Sequence, residues 1–195
     1  MKLNIKRLLA YLLDLSFLFL FLMLLNMFIP KNDALIDLNN SLGVLNEMVS
    51  SKDMSFITYA KDYSTIIKLI DIENLYITMI QAIYLVVYFI LIPYYNKGQT
   101  LFQSVFNIKI KTTAKNNLTI KQLLIRSLII NGLGFIILSI VALMVPYEYY
   151  FTVIWLLLII QLYLMIKSGM MIYKNEDQKG FHDIYSHTKI EEIKK

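Results

Sequence analysis

The sequence predicts an all-α polytopic membrane protein with four transmembrane helices, and two observations carry that prediction. The chain has 195 residues, of which 57% are hydrophobic, far above the composition of an ordinary soluble domain. Four apolar stretches, at 8–29, 75–95, 123–145 and 151–173, approach or exceed the ~20 residues that cross a hydrocarbon core. The last stretch is long enough because Lys167 can extend its ammonium group to the membrane interface. One domain of about 1–195 accommodates all four spans.

The distribution of basic residues predicts the topology. Three segments, 1–7, 96–126 and 167–195, hold 15 of the 19 lysines and arginines. Because cytoplasmic loops carry an excess of basic residues, both termini and the middle loop are expected in the cytoplasm of a bacterial cell, with the protein in its plasma membrane. Anionic lipid headgroups of the bilayer explain the net charge of +5, so no nucleic-acid partner is predicted.

The segment 31–71 between the first two spans predicts an extracytoplasmic helical hairpin. Two apolar stripes recur at alternating intervals of three and four residues, which is typical of amphipathic helices. Ser55 is a candidate N-cap for the second helix. The hairpin is interpreted either as a mutually packed lid or as a surface that binds a protein or peptide partner. The stripes are formed by Leu35, Leu38, Leu42, Leu45 and Val49, and by Phe56, Tyr59, Tyr63, Ile66 and Ile70.

The cytoplasmic loop 96–122 and the tail 174–195 predict a short β-like layer. The motif Ile108-Lys109-Ile110-Lys111-Thr112 alternates apolar and basic residues, the period of a strand at a surface. Thr188-Lys189-Ile190 is expected to add a strand beside it. Asp183 is expected to cap a helix or to pair with a loop lysine, which anchors the tail to the surface.

An acidic residue within the first span is the main functional signal. Asp14 follows Arg7 by seven positions, close to two helical turns, so the two residues share a helix face. Because a buried acid needs a partner, Arg7 or Arg126 is expected to contact Asp14. Two interpretations remain open: a structural clamp, or a site where Asp14 binds a cation or a proton. A candidate polar path comprises Ser16, Asn26, Thr78, Gln81, Asn131 and Gln161.

Catalytic and cofactor motifs are absent from the sequence. It has no cysteine, which excludes disulfides and thiolate metal sites. It has no phosphate-binding loop, nucleophile elbow or HExxH motif. His182 and His187 are separated by four residues, but no third ligand is obvious. We therefore expect no enzyme activity, cofactor or metal site.

Three motifs together resemble the RDD family of bacterial membrane proteins. The first begins at Arg7 and ends at Asp14, with the arginine at the mouth of the first helix and the aspartate within it. The second is Gly98-Gln99-Thr100-Leu101, followed by Asn107-Ile108-Lys109-Ile110 and by the helix that Arg126 opens. The third is Gly180-Phe181-His182-Asp183 with Thr188-Lys189-Ile190.

The resemblance implies that Arg7, Asp14, Arg126 and Asp183 form the functional cluster. It also implies transport, since transport of small ligands has been suggested for the family and some relatives are associated with sodium/proton antiport. Two functions are therefore expected as alternatives. One is transport of a small ligand, or cation/proton exchange, at Asp14. The other is a non-transporting interaction, accessory or immunity protein that recognises its partner through the hairpin 31–71.

Overall fold

A computed structural model describes residues 2–28, 32–51, 54–114, 117–174 and 177–193. Some predicted segments include residues outside the described ranges. These are residue 29 of the first span, residues 31, 52 and 53 of the hairpin segment, residues 115 and 116 of the cytoplasmic loop, and residues 175, 176, 194 and 195 of the tail. The described elements are α1 (Leu3–Phe28), α2 (Asp33–Ser50), α3 (Phe56–Glu73), α4 (Leu75–Tyr95), α5 (Leu101–Val105), β1 (Ile108–Thr112), α6 (Ile120–Ile130), α7 (Leu133–Ala142), α8 (Tyr147–Lys174), α9 (Phe181–Tyr185) and β2 (Thr188–Glu192).

The all-α polytopic fold is confirmed. Within the described part of the chain, α1, α4 and α8 are each long and apolar enough to cross a membrane. The pair α6 and α7 makes a fourth span if it is counted as one bent element. The apolar side chains that cover these helices remain exposed in the isolated chain, as expected where lipid is the natural solvent.

The third span is broken, whereas the sequence predicted an uninterrupted span over 123–145. Helices α6 and α7 meet at an angle of 71°. The chain turns at Gly132, whose φ of +80° is a left-handed conformation that favours glycine. At residue 134 the backbones are so close that a Cβ would lie 2.5 Å from the carbonyl oxygen of Leu128. The glycines therefore permit the sharp turn as well as the close approach.

Polar side chains from two other helices satisfy the backbone at this break. The carbonyl of Ile130 accepts a hydrogen bond of 2.8 Å from the Tyr11 hydroxyl. The carbonyl of Ile129 accepts one of 3.0 Å from Gln161 Nε2. Unpaired backbone groups are costly in hydrocarbon, and broken helices persist where neighbouring side chains supply partners. Tyr11 and Gln161 thus hold the bend in place.

The predicted strands form an antiparallel pair at the end of the bundle where α1 begins and α8 ends, here called the termini side. The register pairs Ile110 with Ile190 and Thr112 with Thr188. Ile108, Ile110 and Ile190 are buried against the helices. The alternation of the sequence places these isoleucines on one face.

The hairpin formed by α2 and α3 lies at the opposite end, here called the hairpin side. Ser55 caps α3, since its side chain accepts a hydrogen bond from the amide of Thr58. Leu45 is buried between the two helices, and Tyr59 donates a hydrogen bond of 3.0 Å to Asn46. The apolar stripes therefore face each other, although Phe56 and Val49 at their ends are exposed.

The other face of α3 fastens the hairpin to the bundle. Lys68 is buried and donates to the carbonyl of Val145 at 2.7 Å, with its ammonium group 4.0 Å from the centre of the Tyr147 ring. Buried Ser64 accepts a hydrogen bond from the amide of Phe151. The hairpin is therefore not a lid that packs only on itself, because α3 also packs against the helical bundle.

Candidate functional site

The termini side contains a buried ion cluster centred on Asp183. This carboxylate is fully buried at the start of α9. Its Oδ2 accepts from Arg7 Nη2 at 2.5 Å and from the amide of Gly180 at 3.0 Å. Its Oδ1 pairs with Arg126 Nη1, which also donates to the Thr188 hydroxyl at 3.3 Å. The two arginines join α1 and α6 to the tail.

The charge state of this cluster follows from its partners. Burial alone would raise the pKa of the Asp183 carboxyl, but the positive charges of Arg126 and Arg7 outweigh it and hold that pKa well below its ordinary value. Burial and the nearby Arg126 charge lower the pKa of His182 well below its ordinary value. The imidazole is therefore neutral near pH 7 and the carboxylate is ionised.

The prediction that an arginine contacts Asp14 is wrong. Asp14 is buried, with 1% of its surface exposed, and its partners are two hydroxyl groups and the backbone amide of Phe102. Tyr88 donates to Oδ1 at 2.5 Å, and Thr100 donates to Oδ2 at 2.7 Å. Among the described residues, both arginines that were expected here are engaged by Asp183. The expected pairing of Asp183 with a loop lysine is corrected by the same contacts.

Local backbone features position the two hydroxyls. Tyr88 lies in a π-helical turn, Val87–Leu91, where the amide of Ile92 bonds to the carbonyl of Val87 five residues earlier. The next residue, Pro93, has no amide hydrogen to donate to a normal helical bond. Thr100 is the N-cap of α5, whose capping box is completed by Gln103. The π turn and the cap thus bring both hydroxyls to one carboxyl.

The choice of partners gives the two carboxyls different chemistry. A guanidinium only donates hydrogen bonds, so the Asp183 environment suits the ionised form alone. A hydroxyl donates or accepts, so Tyr88 and Thr100 can bond to Asp14 whether it is ionised or protonated. The two hydroxyl contacts of Asp14 can therefore persist when the carboxyl gains or loses a proton.

A cavity of about 200 Å³ joins these groups at the termini side. It lies between α1, α4, α6 and α8, and α9 and the strands close its end. Most of its wall is apolar and a smaller part is polar, as in many ligand pockets. The polar and charged residues in its lining are Arg7, Tyr11, Asp14, Thr100, Gln103, Arg126, Asn131, Tyr173 and His182.

The expected polar path is divided between two cavities. Asn131 lines the termini-side cavity. Thr78 and Gln81 line a separate cavity on the hairpin side. Gln161 supports the helix break, and Ser16 and Asn26 are exposed on α1. Three of the six residues therefore lie in cavities, and the broken span runs between those cavities.

Sequence reasoning missed the residues that hold Asp14. A signal for Thr100 was present, because a threonine three residues before a glutamine is typical of a capping box. Tyr88 gave a weaker signal, since a tyrosine hydroxyl within an apolar helix requires a partner. His182 is fully buried, with Nδ1 against the Ser168 hydroxyl. The described residues contain no cluster of histidines and acids that fits a metal ion.

These helices and the buried charges between them define a multi-pass integral membrane protein. A model of the RDD family matches residues 4–187, nearly the whole chain, and the protein belongs to that family. The match includes Arg7, Asp14, Arg126 and Asp183 within its limits. Searches of curated proteins and of solved structures found no match.

Proposed function

We propose that this protein exchanges a monovalent cation for a proton across the bacterial plasma membrane, with Asp14 as the site for which the two compete. One observation carries the proposal: Asp14 is buried in a membrane span, lines a cavity and is bonded to hydroxyls instead of an arginine. Ionisable residues inside membranes are often found on ion or proton pathways. The protein then acts without chemical catalysis, with its termini in the cytoplasm as the loop charges favour.

The balance of charges supports competition between the two ions. Ionised Asp14 supplies one negative charge, because both nearby arginines are paired with Asp183. Either a proton or a monovalent cation compensates that charge, and both together would leave one positive charge at the site. Uncompensated charge is costly away from water, so binding of one ion disfavours binding of the other.

Vesicles containing the purified protein test this proposal. With a cation gradient across the membrane and a pH-sensitive dye inside, the native protein is expected to move protons, and Asp14→Asn is expected to abolish that movement. Asp37→Asn, which removes an exposed carboxylate from α2, is the matched control and is expected to retain it. Proton movement at the native rate in a folded Asp14→Asn protein would reject the proposal.

A second candidate function rests on the hairpin, which exposes apolar side chains beside a groove of about 410 Å³ between α2 and α3. Phe56 and Ile57 are 80% and 71% exposed, and Val44 is 52% exposed. Such residues are suited to contact with a protein or peptide partner. The hairpin cannot be deleted cleanly, because buried Lys68 joins it to the bundle.

Point substitutions are therefore the appropriate test of the interaction function. Val44→Ser and Ile57→Ser are expected to release a bound partner and to leave proton exchange intact. Asp37→Asn, an exposed residue of α2 that does not line the groove, is the control. Retention of every partner by the double variant would exclude this surface as the binding site.

A further inference from the structure

A second cavity, on the hairpin side, has the composition of a binding site. Here α3, α4, α7 and α8 line a partly open cavity of about 230 Å³. Its polar lining consists of Asp71, Thr78, Gln81, Ser139 and Tyr150. The rest of its lining is aliphatic or aromatic: Leu75, Phe135, Ile136, Ile140, Leu143 and Ile154.

Asp71 gives this cavity a single negative charge. The Tyr150 hydroxyl donates to Oδ2 of Asp71 at 2.6 Å, and among the described residues Asp71 forms no ion pair. Lys68, one helical turn earlier, is engaged by the carbonyl of Val145 and the ring of Tyr147. No arginine, lysine or histidine lines the cavity in the described chain. Its electrostatic character is therefore opposite to that of the arginine-lined cavity at the termini side.

The remaining polar groups provide acceptors near the carboxylate. Thr78 and Ser139 donate to the carbonyls of Asn74 and Ile136, which leaves the lone pairs of their hydroxyl oxygens available. An ammonium group has three donors and no acceptor, so it matches this set. The volume is several times the ~30 Å³ of one water molecule. A bare metal ion would leave most of the apolar wall without a contact.

We infer that the hairpin-side cavity binds a small organic monocation, namely a primary amine with an apolar body. The ammonium group pairs with Asp71 and its hydrocarbon portion packs against α7 and α8. The broken span separates this site from Asp14, because Asn131 lines one cavity and Phe135 the other. The further step, that the bound amine is the cation exchanged at Asp14, rests on the proposed function.

Calorimetry on the detergent-solubilised full chain tests the binding site with n-butylammonium as the probe. The neutral analogue n-butanol is the matched ligand control. We expect n-butylammonium to bind, n-butanol to bind at least tenfold more weakly, and Asp71→Asn to weaken n-butylammonium binding at least tenfold. Asp37→Asn, an exposed acid on α2, is expected to leave binding unchanged.

Several results would overturn the assignment. Equal binding of n-butanol would show that the carboxylate is not used, and equal binding to a folded Asp71→Asn protein would place the amine elsewhere. Binding of Na⁺ but not of n-butylammonium, lost in Asp71→Asn, would identify a metal-ion site instead.

If butylammonium binds through Asp71 while vesicles show no proton movement, the proposed exchange fails and the amine site stands. If vesicles show proton movement while butylammonium does not bind, the amine site fails and the exchange stands.

Discussion

Two buried carboxylates of the same membrane domain, Asp183 and Asp14, have opposite partners. Each carboxylate accepts one backbone amide, but Asp183 is otherwise held by two guanidinium groups, whereas Asp14 is otherwise held by two hydroxyls. The first arrangement fixes a charge and ties three segments of the chain together. The second leaves the protonation state open. Burial alone therefore does not reveal the role of an acidic residue, and the identity of its hydrogen-bond partners does.

The largest effect is expected at Asp183. Replacement by asparagine leaves two buried guanidiniums without a counter-charge, which costs about 3–5 kcal/mol in comparable buried pairs. Asp183→Asn is expected to lower the temperature of thermal unfolding sharply and to reduce the amount of protein in the membrane. An unfolding temperature equal to that of the native protein would contradict the structural role assigned to this cluster.

Acidification tests the same cluster through His182. The folded-state pKa of His182 lies well below its ordinary value of 6.5, so between these two values the unfolded chain binds a proton that the folded chain does not. Stability is therefore fully present above pH 6.5 and falls as the pH is lowered, by up to about 1.4 kcal/mol per pH unit for one group. Thermal unfolding between pH 8 and pH 5 measures this slope.

Two histidine variants separate the contributions to that slope. His182→Gln is expected to reduce the pH dependence between pH 6.5 and pH 5. His187→Gln, which changes an exposed side chain, is expected to leave it intact. The depressed pKa of Asp183 predicts a further loss of stability only at more acidic pH, below the ordinary carboxyl pKa of 3.8. An unchanged slope in His182→Gln would disprove the burial of a neutral imidazole.

Thr100 links the Asp14 site to the fold around it. Thr100→Val removes the hydroxyl that both caps α5 and contacts Asp14, which is expected to cost about 1–2 kcal/mol and to impair proton exchange. Thr100→Ser retains the hydroxyl and is expected to preserve both properties. If valine and serine behave alike in unfolding and in vesicle assays, the hydroxyl has neither role.

The smallest effect on stability is expected at Asp14 itself. An asparagine side chain accepts and donates hydrogen bonds, so it can satisfy Tyr88 and Thr100. Asp14→Asn is expected to change the free energy of unfolding by no more than about 1 kcal/mol, several times less than Asp183→Asn. A loss of unfolding free energy as large as that of Asp183→Asn would show that Asp14 has the same structural role as Asp183.

Most of the fold could be predicted from local patterns. Apolar length identified the spans, a spacing of three and four residues identified α2 and α3, and a period of two identified β1. The break at Gly132 was not predicted, because an apolar run has the same composition whether the helix is straight or bent. Its supports, Tyr11 and Gln161, come from distant parts of the chain, and one sequence gives no register between them.

The sequence indicated which residues lie at the candidate site but not which of them contact each other. Arg7, Asp14, Arg126 and Asp183 do gather at one end of the bundle, as the family motifs indicated. Their pairing depends on where the tail lies. The short helix α9 places Asp183 against Arg7 and Arg126, which were expected to contact Asp14. Asp71 entered the sequence analysis only as the last residue of the predicted hairpin segment 31–71. Its place in a cavity depends on how α3 packs against α8.

Infrared spectroscopy of the carboxyl groups tests the central claim most directly. Membranes containing the native protein, Asp14→Asn or the control Asp37→Asn are titrated across neutral pH, and the band of protonated buried carboxyls is followed. The band is expected to appear on acidification in the native and Asp37→Asn proteins and to be missing in Asp14→Asn. A band that persists unchanged in folded Asp14→Asn would contradict the assignment of Asp14 as the group that changes its protonation state.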